Sequence, residues 1–81
     1  MVVVHRAHGL RFMIYIDDHE PAHVHVRGDG EAKVILAGRD DKPELVYAPG
    51  MTRGDQRRMM REIREQQEAL LERWREIHGG S

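Results

Sequence analysis

The fold is decided by residues 22–36, which read AHVHVRGDGEAKVIL. Apolar and polar residues alternate on both sides of a glycine–aspartate–glycine loop, a pattern typical of a β-hairpin with one buried face. A two-residue loop would place His25 opposite Val34 and mix the two faces. A three-residue loop with Gly30 in the left-handed region places Val24 opposite Val34. We predict the second register because it separates apolar from polar side chains.

The segments that flank this hairpin complete an α+β pattern. The other predicted strands are Val2–Arg6, Leu10–Ile16 and the short Glu44–Tyr47. Thr52 is the predicted N-cap of a helix that continues to about His78, where Gly79 ends it. We therefore predict a small antiparallel sheet of four to five strands followed by one long C-terminal amphipathic helix. Residues 1–78 form a single domain in this interpretation, and residues 79–81 are a flexible tail or a cloning remnant.

The predicted helix carries an apolar stripe, and the predicted sheet is too short to cover both ends of that stripe. Its stripe includes Met60, Ile63, Leu70 and Trp74. The predicted helix of about 26 residues is about 39 Å long, whereas a strand of seven residues spans about 23 Å. One end of the helix should therefore extend beyond the sheet, and these four residues are the predicted partner interface. We expect a homodimer or a tight complex with a partner protein.

Charge is divided unevenly along the same helix. Residues 53–64 contain five arginines and two acidic residues, whereas residues 65–78 contain four glutamates and two arginines. Three interpretations stay open. The charges form a solvated face with pairs such as Arg61–Glu65, or two helices pair antiparallel, or the basic half binds phosphate.

Composition limits the class of protein. The chain has 81 residues, no cysteine and a formal net charge of −1 with its six histidines neutral. Disulfides are therefore excluded, and a domain this small is usually stabilised by a metal or a partner. There is no signal-peptide core, no run of apolar residues long enough to span a membrane and no strongly basic field, so we expect a cytoplasmic protein.

Side chains that can bind a metal or act in acid–base catalysis are concentrated in residues 18–26, which read DHEPAHVHV. His23 and His25 are two apart in a strand, so their side chains lie on one face about 7 Å apart. They are typical metal ligands, with His19 or Asp18 as a third from the preceding loop, and zinc or another divalent transition metal is the expected ion.

Two other interpretations compete with the metal site. His23 and His25 can share acid and base roles in metal-independent cleavage of RNA, with Arg11, Arg27 and Lys33 binding phosphate on the same open face. Alternatively, the histidines form an exposed polar face without a ligand, or make only structural hydrogen bonds.

The sequence resembles a small bacterial family called domain of unknown function 4160. The matching segments are Gly9-Leu10-Arg11-Phe12 with Tyr15, residues 18–26, Glu31-Ala32 and residues 68–74. Ala22 stands where family members often have a second proline, which leaves the histidines intact. The resemblance implies that Asp18, His19, His23 and His25 are functional.

The resemblance also implies a genetic setting. Genes of this family commonly lie beside one for another small protein, a layout similar to toxin–antitoxin pairs. We therefore carry two hypotheses. One is a toxin-type RNA-cleaving enzyme. The other is a non-enzymatic interaction module, an antitoxin or adaptor, whose histidines are structural or bind a metal.

Overall fold

The computed structural model describes residues 1–79 as an antiparallel sheet of five strands followed by two helices. The strands are β1 (Val2–Ala7), β2 (Leu10–Ile14), β3 (His23–Arg27), β4 (Glu31–Ile35) and β5 (Glu44–Tyr47). The helices are α1 (Arg53–Glu65) and α2 (Gln67–Ile77). Each strand pairs with its neighbour in sequence, and a short 3₁₀ turn connects β4 to β5. The predicted α+β class and strand number are confirmed.

The predicted hairpin register is also confirmed, because Val24 pairs with Val34 across β3 and β4. The predicted conformation of Gly30 is wrong, since its φ angle is not positive. Gly30 is needed for a different reason. A Cβ atom added there would lie 2.3 Å from the carbonyl carbon of Gly50 and 2.5 Å from the nitrogen of Met51. The hairpin loop therefore packs directly on the backbone of the turn that precedes α1.

The prediction of one long helix is wrong, because the helix is interrupted at Gln66 (φ −104°, ψ 11°). Hydrogen bonds continue through the interruption, so it is a bend rather than a separation. Immediately after it, the side-chain Nε2 of Gln67 donates to the backbone carbonyl oxygens of Leu36 and Asp41, each at 2.7 Å. This tie to the β4–β5 connection gives a physical reason for the bend. The predicted N-cap is confirmed, since Thr52 accepts from the backbone N–H of Asp55.

The core lies between one face of the sheet and the apolar sides of both helices. Its largest fully buried side chains on this side are Phe12, Ile14, Val24, Val26, Val34, Leu36, Met59 and Ile63. Leu70 and Trp74 complete it from α2. Within residues 1–79, no helix is long and apolar enough to cross a membrane. Gly80 and Ser81, which the sequence assigns to the tail, lie outside the described residues.

The predicted partner interface is wrong for Ile63, Leu70 and Trp74. All three are buried in the core of their own chain, so they do not form an exposed apolar overhang. Met60 is only partly buried and stays at the surface.

Alanine substitution at Gly30 tests the contact between the hairpin loop and the turn. We expect Gly30→Ala to lower the free energy of unfolding by about 1–3 kcal/mol, since overpacking against rigid backbone forces a shift. Gly54→Ala in α1 is the matched control. Its added Cβ meets only the flexible end of Arg58, and it should be neutral or stabilising by about 0.5–1 kcal/mol. Urea unfolding measures both, and equal stability of the two variants would contradict the proposed contact.

Candidate metal centre

Strand β3 and the loop before it bring together two imidazoles and a carboxylate. His23 and His25 project from β3, and Asp18 comes from the turn that follows β2. That turn is fixed from both ends, because the N–H of Tyr15 donates to the Asp18 carboxylate and the N–H of Asp18 donates to the Tyr15 carbonyl, each at 3.1 Å. The carboxylate is therefore held in place before any ligand binds.

The three side chains converge on one point. Oδ2 of Asp18 lies 3.3 Å from Nε2 of His23 and 3.6 Å from Nε2 of His25. One ligand atom from each residue lies within 4.8 Å of the others, and within residues 1–79 this is the one group of its kind. The histidine rings meet edge to face with centroids 5.1 Å apart.

His23 is oriented by its second ring nitrogen. Nδ1 lies 2.8 Å from the carbonyl oxygen of Pro21, and because a carbonyl only accepts, Nδ1 carries the proton. In the neutral ring, Nε2 then carries a lone pair and lies 3.3 Å from Oδ2 of Asp18. Two electron-rich atoms facing each other at this distance repel unless a proton or a cation lies between them.

The prediction that His23 and His25 share an open face is wrong for His23, which is only 6% exposed. The C-terminal end of α2 covers it, with the Trp74 ring 5.2 Å away, and Trp74 stacks in turn on His78 at 3.8 Å. Trp74 also donates from its indole N–H to the carboxylate of Glu20 at 3.3 Å. The sequence placed Trp74 on the apolar stripe, as part of the predicted partner interface, and did not indicate that it supports the histidines.

His25 is half-buried and lies nearer the surface. Burial lowers the pKa of His25 below its usual value of 6.5, against the opposing effect of the Asp18 carboxylate, and the nearby His23 and Lys33 lower it further. The ring is therefore neutral at pH 7 and offers a lone pair. Its edge contact with Tyr15, at 4.7 Å between ring centroids, fixes the ring from the other side.

The cluster opens into a cleft of about 310 Å³. Asp17, His19, Glu20 and Lys33 line it together with the three converging residues. Of the predicted metal ligands, Asp18, His23 and His25 are brought together. His19 lines the cleft but is not a member of the converging group.

The predicted phosphate-binding residues are divided between two places. Lys33 reaches the histidine cleft, but Arg11 and Arg27 do not. Arg11 and Arg27 lie opposite each other in the register of β2 and β3, and Arg6 of β1 lies opposite Arg11. The three arginines line a separate cleft. Sequence reasoning missed Arg6 because it predicted no register between the first two strands, where β1 also carries a β-bulge between Val3 and His5.

The chain belongs to the family described as Domain of unknown function (DUF4160), which matches residues 9–75. The resemblance expected from the sequence is therefore confirmed, and the match includes all three converging residues. No curated protein and no solved structure matches the chain.

Acid should destabilise the metal-free protein through His25. Because its pKa is lowered in the folded state, the unfolded chain binds the proton more readily, and stability present above about pH 6.5 is lost as the pH falls below that value. Uptake of one proton on unfolding changes the free energy of unfolding by at most about 1.4 kcal/mol per pH unit. Urea unfolding with chelator present should show that the free energy of unfolding falls less between pH 7.5 and pH 5 in His25→Gln than in the natural protein. An unchanged decline would show that His25 is not the group responsible.

Proposed function

We propose that Asp18, His23 and His25 bind a divalent transition metal ion of the zinc class. The observation that carries the proposal is the spacing of the ligand atoms. Tetrahedral zinc with bonds of 2.0–2.2 Å separates its ligand atoms by about 3.4 Å. The two measured separations from the Asp18 oxygen are 3.3 and 3.6 Å. These two separations support the proposal, and the third, between the two histidine rings, is within 4.8 Å.

The surroundings of the three ligands support the same proposal. The hydrogen bond from His23 to the Pro21 carbonyl is the outer-shell contact that commonly orients a metal-bound imidazole. The lowered pKa of His25 keeps its ring neutral, as ligation requires. A cation would also remove the repulsion between the Asp18 carboxylate and the His23 lone pair.

Three protein ligands and a cleft are the arrangement of a catalytic rather than a structural zinc site. A structural site closes with a fourth protein ligand, whereas within residues 1–79 three side chains converge beside a cleft that Lys33 lines. A zinc ion held by these three residues would supply a bound water whose pKa is lowered to about 7, and so a nucleophile. Lys33 supplies a cation for a negatively charged substrate. We therefore propose metal-assisted hydrolysis of an anionic substrate, a class that includes the RNA predicted from the sequence.

Metal-independent cleavage of RNA is the second candidate, and the neutral state of His25 favours it. A neutral imidazole beside a carboxylate is equipped to act as a general base. The burial of His23 makes this candidate the weaker one, because a buried imidazole is hard for a phosphodiester on the surface to reach. A toxin–antitoxin role, a homodimer or operon-encoded partner, and a cytoplasmic location stay predictions.

Metal titration tests the main proposal. After chelation and dialysis, zinc at 100 times its dissociation constant should raise the free energy of unfolding by about 2.7 kcal/mol. His25→Ala and Asp18→Ala should weaken zinc binding more than about 100-fold, because loss of a ligand exceeds the effect of an outer-shell change. His19→Ala is the matched control, since it changes a histidine of the same cleft outside the converging group, and it should bind zinc like the natural protein. Calorimetry measures the affinities, and circular dichroism confirms that each variant is folded.

The two candidate functions give opposite results with chelator. Hydrolysis of RNA or another phosphate ester that chelator abolishes and zinc restores would support the metal centre. Absence of stabilisation by zinc, cobalt, nickel and manganese, with no metal in the purified protein, would show the metal proposal to be wrong. RNA cleavage that survives chelator and disappears in His25→Ala would establish the metal-independent ribonuclease in its place.

A further inference from the structure

Helix α1 carries four exposed arginines along one side. Arg53, Arg57, Arg61 and Arg64 follow helical spacing and line a groove of about 520 Å³. The eleven steps from Arg53 to Arg64, at a rise of 1.5 Å each, give the row a length of about 16 Å. Among residues 1–79, none of the four forms an ion pair, and the expected pair between Arg61 and Glu65 is not formed. The neighbouring Arg58 is different, because it pairs with Asp55 at 2.8 Å.

The other wall of this groove belongs to an unprotected edge strand. Within residues 1–79, β5 pairs with β4 alone, so its outer side presents free backbone donors and acceptors. Its three apolar residues are all exposed, Leu45 by 37%, Val46 by 48% and Tyr47 by 43%. Such an edge is a template for another strand unless charge, proline or a covering element blocks it.

The register of β5 shows how the two features form one surface. Leu45 pairs with the core residue Val34, so it points to the helix side of the sheet, where it lines the groove with Met60. Tyr47 pairs with Lys33 and points to the opposite side. In a strand added beside β5, every second side chain would face α1 and its arginines.

A second copy of the chain does not fit this surface. Antiparallel pairing of β5 with β5 would place both α1 helices on the same side of the joined sheet. Two rows of four uncompensated arginines would then flank the new interface, and like charges brought together disfavour association. The occupant must instead carry negative charge on the side that faces α1.

A nucleic acid would satisfy the arginines but not the rest of the surface. It would leave the β5 backbone edge and the exposed Leu45 unused. Tyr47, the aromatic residue of the strand, points away from the arginine groove and is not available to stack a base there.

We propose that the β5 edge and the α1 arginine row form one docking surface for an extended acidic segment of a partner protein, which adds as a sixth strand. Backbone hydrogen bonds to β5 supply affinity, and acidic side chains at every second position pair with the arginines. The surface is separate from the proposed metal ligands, so the proposal stands or falls independently of the metal.

The test uses a labelled peptide of about eight residues that alternates glutamate and valine, a typical strand length. We expect it to bind the natural protein with an affinity that falls as salt rises. The double variant Arg57→Glu/Arg61→Glu should bind at least fivefold more weakly. Arg75→Glu, an exposed arginine of α2 outside the groove, is the matched control and should bind like the natural protein. Fluorescence polarisation measures affinity, and amide exchange should show new protection in β5.

Two further probes distinguish the occupants. A peptide with proline at alternate positions keeps the charge but cannot complete the ladder, and it should bind much more weakly than the glutamate–valine peptide. Equal binding of a lysine–valine peptide, or no binding at millimolar peptide, would overturn the proposal. If a single-stranded oligonucleotide binds more tightly than the peptide and does not protect β5, the occupant is a nucleic acid and the proposal is wrong. If sedimentation shows a dimer whose interface protects β5, the occupant is a second copy of the chain and the proposal is also wrong.

Discussion

The structure depends on the pairing of β3 with β4 in a single register. Alternation along β3 directs Val24 and Val26 to the helices and gives His25 to the other side of the sheet. A slip of one residue would exchange these sets, burying an imidazole in the core and exposing two valines. Each valine transferred to water would lose about 1.5–3 kcal/mol, which a domain of this size cannot tolerate twice. The same constraint that forms the core therefore places the histidine beside Asp18.

The site is built at the margin of the core, and its members depend on elements distant in sequence. Trp74 of α2 covers His23, while Glu20 accepts the indole N–H, so the end of the chain closes over the loop that carries the aspartate. Within residues 1–79, no buried side-chain nitrogen or oxygen lacks a hydrogen-bond partner. A polar cluster satisfied in this way is rigid. Rigidity suits the proposed metal centre, because side chains held close together before binding lose little conformational entropy when an ion binds.

The sequence was informative where a pattern is local and periodic. Alternation predicted the hairpin register down to the pairing of Val24 with Val34, and the histidine spacing predicted two members of the cluster. The bend at Gln66 was not predictable, because it accompanies hydrogen bonds from Gln67 to carbonyls of a loop about 30 residues earlier. The burial of His23 was missed for the same reason, since strand alternation does not reveal that a tryptophan 51 positions later covers the ring. Long-range side-chain contacts of this kind leave no periodic signal.

The two proposed surfaces are neighbours although their chemistry is separate. Lys33, on the rim of the histidine cleft, is paired directly with Tyr47 of β5. A strand docked on the outer side of β5 would lie two strand spacings from β4, about 10 Å. On the helix side of the sheet, the acidic residues of the docked strand would contact α1. On the opposite side, its other residues would lie next to Tyr47, on the same side of the sheet as the histidine cleft. Occupation of the edge would therefore extend the wall of the cleft beyond Lys33. A partner bound there would alter access to the cleft without contacting any of the three converging residues.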